Sequence, residues 1–373
     1  MQNMVYRMPC NSARSYEVTI VENLLKQEDL YLLNLLNNRK ALVVTTPTVF
    51  RLYGGALRLI SERHDLSINV IVISCNETNK SLDLVGELCN KALQFELGRK
   101  DLLIALGGGI CSDVVTVAAS VIRRGIAHLR IPTTLIGQVD AGVGVKGSVN
   151  FRGKKSYLGC YYPPAAVLID PGFLETLPQQ HLRNGLAEII KIAIVRDAEL
   201  FGLIEANAET LAATGFQQPE EISRRVIWLA IKRMLQELES NLYEDQSFRR
   251  LVDMGHTFSP AIETASGFAI PHGMAVALDI ALSSTLSVEL GLLLRAEYER
   301  IISSITSAGL PVFSELITRE LCLEALKESA SHRGGAVNLV LPTKIGEATF
   351  LQSIDDLPVQ TLDSAIDYLA KLS

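Results

Sequence analysis

Short β-branched runs alternate with helical stretches through the first half of this chain, and that alternation restricts its fold more than any other feature. ALVVTT (41–46) is followed by a helical pattern near 48–62, SINVIVIS (67–74) by one near 81–98, and DLLIALGGG (101–109) by one from about 111. Strands separated by helices join a parallel sheet, which needs helices over both faces. From about residue 176 the texture changes. HLRNGLAEIIKIAIV (181–195), ISRRVIWLAIKRMLQELE (222–239) and GMAVALDIALSSTLSVELGLL (273–293) repeat apolar residues every three to four positions, as buried helix faces do. DPGFLETLPQQ (170–180), punctuated by Pro and Gly, is the expected linker. The expectation is an α/β domain with a parallel sheet over 1–175 and an all-α domain over 176–373, the latter closed by one hairpin, NLVLP (338–342) against EATFLQ (347–352).

With 373 residues, 48 % of them apolar, two cores of ordinary size are affordable. The net charge of -6, with basic residues scattered among acidic ones, offers no footprint for nucleic acid or an anionic membrane. The first residues, MQNMVYRMPCNSARSY, lack the charged and apolar regions of a signal peptide, and no later run reaches the length of a membrane span. The six cysteines are dispersed without a C-x-x-C pair, which speaks against disulfides and structural zinc, so the protein is read as cytoplasmic.

GGGICSD (107–113) follows an apolar strand and opens a helix, which bares backbone N–H groups where a phosphate could sit. The spacing is not the G-x-G-x-x-G fingerprint, and a triple glycine alone is also a tight turn. Thr133 and Thr134 after the next strand, and Glu77 and Lys80 after an earlier one, put polar groups at consecutive strand ends, where parallel sheets bind ligands. A dinucleotide site over Gly107, Gly108, Gly109 and these neighbours is the expectation.

Glu188 and Lys191 lie three apart on an otherwise apolar helix and share one face. An internal ion pair and a polar site both account for them. His256 and His272, sixteen residues apart, are satisfied core histidines or metal ligands; with a carboxylate they would form an N/O set that leaves positions open on a divalent ion. The stretch DAGVGVKGSVNFRGKKSYLG (140–159) reads as a glycine-rich loop folding closely over an anionic ligand, with Asp140, Lys146, Lys154 and Lys155 on it.

These motifs, GGG-x-x-x-D, PTT, Asp140 with Lys146, G-x-A-E-x-x-K, GHTF and a later HG, in this order and spacing, resemble the dehydroquinate synthase superfamily of sugar phosphate cyclases over about residues 41–350. The resemblance implies a nucleotide-binding α/β domain and a helical metal- and substrate-binding domain enclosing NAD and a divalent metal, Zn2+ or Co2+. It carries the metal onto Glu188, His256 and His272, and NAD onto Glu77, Lys80, Gly107, Gly108, Gly109, Asp113, Thr133 and Thr134, with Asp140 and Lys155. Asp140, Lys146, Lys155, Lys191 and Arg249 match positions around the nicotinamide and substrate, and Arg124 matches an arginine that reaches the neighbouring subunit's site, implying a homodimer.

Departures from dehydroquinate synthase bear on the substrate. VDMGHTFSP puts Asp253 where that enzyme is expected to have Asn, and Ser259-Pro260 where it has Gly-His; Lys155-Ser156 stands for Lys-Asn, TTPTV (45–49) lacks an early Asp, and SHRGG with His332 replaces a lysine-rich stretch. Together with ELESNLYED (237–245), these look like the 2-epi-5-epi-valiolone synthases, which cyclise sedoheptulose 7-phosphate. The implied reaction oxidises carbon 5 transiently, eliminates phosphate, returns the hydride and closes the ring by an aldol step, with Lys146 and Arg124 on the phosphate and Asp253 and His332 on hydroxyls. The alternatives are the related valiolone, deoxygadusol or dehydroquinate synthases, a metal-dependent alcohol or glycerol dehydrogenase, and a non-catalytic NAD- or sugar-phosphate-binding regulator.

Overall fold

The structure, a computed structural model, describes residues 15–25, 30–332 and 334–372, with the side chain of His332 outside that set. The chain runs β1 (Glu17–Ile20), α1 (Leu30–Leu36), β2 (Ala41–Thr45), α2 (Pro47–Arg63), β3 (Ile68–Val72), α3 (Leu82–Gln94), β4 (Leu102–Gly107), α4 (Gly109–Val121), β5 (Ala127–Pro132), β6 (Lys146–Phe151), β7 (Lys154–Tyr161) and β8 (Ala166–Ile169). Six of these strands form one parallel sheet in the order β1-β8-β5-β4-β2-β3. β2, β4 and β8 are buried along their whole length, as strands covered on both faces must be. One layer sets α3 and α4 against the sheet around Leu88, Val114 and Val115; the other sets α1 and α2 around Leu36, Leu57 and Ile60. The chain places β3 on one side of β2 and then returns to lay β4 on the other, so strand order reverses between them, the place where such sheets bind ligands.

The second half continues with α5 (Gln179–Arg196), α6 (Ala198–Ala213), α7 (Glu220–Glu239), α8 (Ser259–Ala265), α9 (His272–Glu289), α10 (Arg295–Ser307), α11 (Arg319–His332), the hairpin β9 (Leu339–Lys344) and β10 (Glu347–Leu351), and α12 (Val359–Ala370). α5 and α9 are apolar nearly all round and form the centre of this half, since such helices must be enclosed. The expected C-terminal hairpin is present, turning through Ile345 and Gly346.

The stretch expected to be an open glycine-rich loop departs from that reading. Beyond a π-helical turn at Gly137–Ala141, residues 146–161 form the antiparallel pair β6–β7, joined by Arg152 and Gly153, both at positive φ. A two-residue connection in this conformation matches strand twist and makes a tight hairpin. No helix among the described residues is long and apolar enough to cross a membrane.

Candidate active site and metal cluster

α5 brings Glu188 and Lys191 to one face, and α9 brings His272 at its first residue. The two helices come close because of Gly273: a Cβ there would stand 2.3 Å from the Cα of Asn184 on α5. His256 arrives on the turn before α8. One ligand atom each from Glu188, His256 and His272 lie within 4.8 Å of one another. Glu188 is 1 % exposed, and its Oε1 faces Nε2 of His272 at 3.1 Å and Nε2 of His256 at 3.9 Å. Neither Glu188 oxygen receives a hydrogen bond of proper geometry. On the far side of each ring Nδ1 is engaged, with the carbonyl of Met254 at 3.1 Å for His256 and with Glu263 Oε1 at 2.9 Å for His272. Protons on both Nδ1 atoms leave two Nε2 lone pairs converging on Glu188 Oε1, which is the donor set a divalent ion takes.

The electrostatics agree with that fit. Desolvation alone would raise Glu188, but Lys191 and the two imidazoles overcome it and hold the carboxyl well below its usual range. Desolvation and the ammonium of Lys191 push His256 down to about 4; His272, although desolvated, is raised to about 9 by Glu188 and Glu263. The field at His272 thus favours a cation. Lys191, 2 % exposed, bridges Glu188 Oε2 at 2.5 Å and Asp140 Oδ2 at 2.8 Å, so it is an ion pair within α5 and also reaches across to the nucleotide half. Desolvation raises Asp140 to about 6, Lys191 lowering it and Glu188 raising it further.

A cavity of about 230 Å³ opens beside this cluster, with Asp140, Lys146, Lys191, Asp253 and His256 in its lining. It has room for a small molecule. Arg250 lines it too, donating to Asp253 Oδ1 at 2.6 Å and pairing with Glu244, which also takes Lys146. Arg249 is not in that lining: it is exposed, with its guanidinium 5.7 Å from the Phe350 ring. Arg250 is extended, and in extended backbone successive side chains point to opposite sides, so the cavity receives one arginine and solvent the other. Lys155 meets Glu263 Oε2 at 2.7 Å, and Lys154 reaches Glu328 at the exposed rim. Arg124 is exposed, and His332 closes α11 with its side chain outside the described set.

The expected nucleotide residues lie at the carboxyl ends of the strands. β4 ends at Gly107, Gly108 caps α4 without any side-chain bond, and α4 starts at Gly109, so its first N–H groups lack internal partners. Thr134 Oγ1 accepts from Gly137 N at 3.2 Å, while Thr133 N donates to Gly107 O, joining β5's end to the glycine turn. Lys80 is buried and donates to Asp113 at 2.5 Å and to Ser148; Glu77 accepts from Asn150 at 2.9 Å.

Three side chains that hold this site went unread in the sequence. Asp279 on α9 accepts the N–H groups of Thr257, Phe258 and Ser259 at 2.9, 2.5 and 2.9 Å and so fixes the turn that carries His256. Arg130 on β5, fully buried, donates to the carbonyls of Gly142, Gly144 and Lys146, setting the segment between Asp140 and Lys146. Glu263 holds His272 and Lys155. A lone charge inside an apolar run was the available signal for Asp279 and Arg130, the same signal that singled out Glu188.

Comparison with known proteins agrees with this geometry. The 3-dehydroquinate synthase N-terminal family matches residues 70–184 and the 3-dehydroquinate synthase C-terminal family residues 185–330. A 2-epi-5-epi-valiolone synthase of Streptomyces hygroscopicus subsp. jinggangensis is 40% identical over 96% of this chain and 87% of its own length. A 3-dehydroquinate synthase of a Synechococcus strain is 32% identical over 95% and 96%. The solved structure of the 2-epi-5-epi-valiolone synthase from Streptomyces hygroscopicus subsp. jinggangensis 5008, with NAD+ and Zn2+ bound, superposes with a TM-score of 0.93 at 40% identity, covering 99% of this chain and all of that one. With the motifs, the sheet order and the metal cluster in place, the chain belongs to the 3-dehydroquinate synthase family.

Proposed function

We propose that the protein is a sugar phosphate cyclase that converts sedoheptulose 7-phosphate to 2-epi-5-epi-valiolone with loss of phosphate, using NAD catalytically and a divalent metal. Similarity to the 2-epi-5-epi-valiolone synthases over nearly the whole chain, and to one solved with NAD+ and Zn2+, supports the branch. The observation that carries it is the cavity beside the metal cluster: its cations Lys146, Lys191 and Arg250 are all paired with carboxylates, Lys191 with Asp140 and Glu188, Lys146 with Glu244, and Arg250 with Glu244 and Asp253. With every cation of the lining already matched by a carboxylate, it suits a polyol more than a sugar acid, which needs a cation of its own.

Glu188, His256 and His272 would hold the metal, and the α4 N-terminus with Gly107, Gly108, Gly109, Thr133 and Thr134 would hold the NAD pyrophosphate, flanked by Glu77, Lys80 and Asp113. When bound, the metal supplies Lewis acidity to substrate hydroxyls and NAD a reversible hydride acceptor. Asp140, held near 6 beside Lys191, is poised to take up and return the proton of the hydroxyl being oxidised. Lys146 leaves Glu244 for the substrate phosphate, and Lys155 orients substrate against the nicotinamide. Asp253, kept in place by Arg250, accepts from a hydroxyl, and His332 orients another. Arg250 takes the position in the cavity expected of Arg249. Residues 1–175 serve NAD and 176–373 the metal and substrate; the enzyme is a homodimer in which Arg124 completes the neighbour's phosphate site. It works in the cytoplasm, where the free thiols of its described cysteines stay reduced.

The test is incubation of the purified protein with NAD, Zn2+ or Co2+ and sedoheptulose 7-phosphate, following phosphate release and product NMR. The expected result is stoichiometric phosphate, 2-epi-5-epi-valiolone and no net NADH. Turnover of the heptulosonate precursor of dehydroquinate in its place overturns the branch, and stoichiometric NADH overturns the cyclase.

A further inference from the structure

Glu263 belongs neither to the metal-ligand set nor to the cavity lining, yet it is 5 % exposed and each of its oxygens holds a different half of the molecule. Oε1 accepts from Nδ1 of His272 at 2.9 Å, where α9 begins, and Oε2 accepts from Nζ of Lys155 at 2.7 Å, on strand β7. Its own helix, α8, is fixed at its start by the Asp279 carboxylate on Phe258 and Ser259, so Glu263 approaches from a braced position.

A carboxylate opposite Nδ1 requires the proton on Nδ1 and leaves Nε2 bare toward the cluster. A divalent ion at Nε2 makes the Nδ1–H a stronger donor, which strengthens its bond to Glu263 Oε1 and fixes the carboxylate in place, so the second oxygen is presented to Lys155 in one position. Of the other hairpin pairs to the helical half, Lys146 with Glu244 holds the open end of the hairpin, while Lys154 with Glu328 on α11 is exposed on both sides and contributes little near its turn. We propose that Glu263 is a shared positioning residue which sets His272 for the metal and tethers the β6–β7 hairpin through Lys155, so that metal occupancy and hairpin order are coupled. Such coupling is reciprocal. The inference rests on the metal reading of Glu188, His256 and His272.

The experiment strips the full-length protein with a chelator, titrates Zn2+ back against a chromophoric competitor, and measures hydrogen exchange of residues 146–161 with and without Zn2+. In the wild type Zn2+ binds and slows exchange in the hairpin. Glu263→Gln weakens Zn2+ by about 10- to 100-fold, the usual effect of losing a partner behind a ligand, and removes the zinc-dependent protection. Lys155→Met, at a half-buried site that tolerates an apolar stem, keeps zinc affinity within a few-fold and still loses that protection. Wild-type affinity in Glu263→Gln, or hairpin exchange indifferent to Zn2+ in the wild type, overturns the proposal. Absence of zinc binding by the wild type overturns the metal reading, and this inference with it.

Discussion

At Asp279 a single carboxylate oxygen accepts three backbone N–H groups, while the other accepts from Ser283 at 3.0 Å, and the residue is fully buried. Asp279→Ala leaves three buried donors without partners, at about 1–3 kcal/mol each, so a loss of about 3 kcal/mol or more in denaturant unfolding is expected, with weaker Zn2+ binding because the His256 turn loosens. Asn keeps an oxygen on the donors and an amide on Ser283, so Asp279→Asn costs much less. The pH dependence separates the two forms. Burial raises this carboxyl from 3.8 to about 6, against the pull of the N–H groups and Ser283. A group that holds its proton more tightly folded than unfolded makes stability fall as pH rises through that window, and flat above it. Unfolding of the wild type should show this slope and Asp279→Asn should lack it. At this scale the sequence displays chemistry better than support. Glu188 and Lys191 stood out as charges on an apolar helix, and the GHTF and HG motifs marked the histidines; Asp279 carried the same lone-charge signal, but only folding shows which backbone groups need an acceptor, and Glu263, on a short helix, carried none.

Among the elements, the long strands and helices of both halves were legible from period alone, β2 to β4 and α5, α7 and α9 all within a few residues. β1 and β8 were not. Each has four residues, and β1 pairs with β8 from the other end of the first half, a contact that no local pattern announces. The β6–β7 hairpin was hidden by its glycines, which suggested a loop wrapped over a ligand. Gly147 instead lets the hairpin lie on α4: a Cβ there would stand 2.6 Å from Cβ of Thr116. Gly147→Ala should therefore overpack this contact, cost about 1–3 kcal/mol in thermal or denaturant unfolding, and lower kcat/KM by displacing Lys146 and Lys155 together. Gly153→Ala is the control. Its Cβ meets nothing within 4 Å and only the φ of +79° opposes it, so about 1 kcal/mol is expected with kcat/KM little changed. Equal activity losses in both variants would return the hairpin to the status of a loop.

For the whole molecule, the question is whether one chain holds a complete site. α4 begins at the glycine turn and ends 13 residues later, about 20 Å away at 1.5 Å per residue, just before Arg124. Arg124 thus stands at the opposite end of the helix from this chain's own glycine turn, which fits the proposal that it serves a neighbour. Arg123 and Arg124 are both held at positive φ, 54° and 66°, which costs free energy for side chains of this kind and fits a required orientation. In the proposed homodimer Arg124 points to a neighbour's phosphate, and this has a consequence that no cis arrangement shares. A heterodimer of an Arg124→Ala subunit and a Lys191→Ala subunit, isolated through two different tags, contains one site with both groups intact, because the first subunit keeps Lys191 and borrows Arg124 from the second. Its other site lacks both. Each homodimeric variant should be nearly inactive, and the heterodimer should recover about half of the wild-type phosphate release, one working site of two. If Arg124 acts within its own chain, each subunit of the heterodimer carries one lesion and no activity returns.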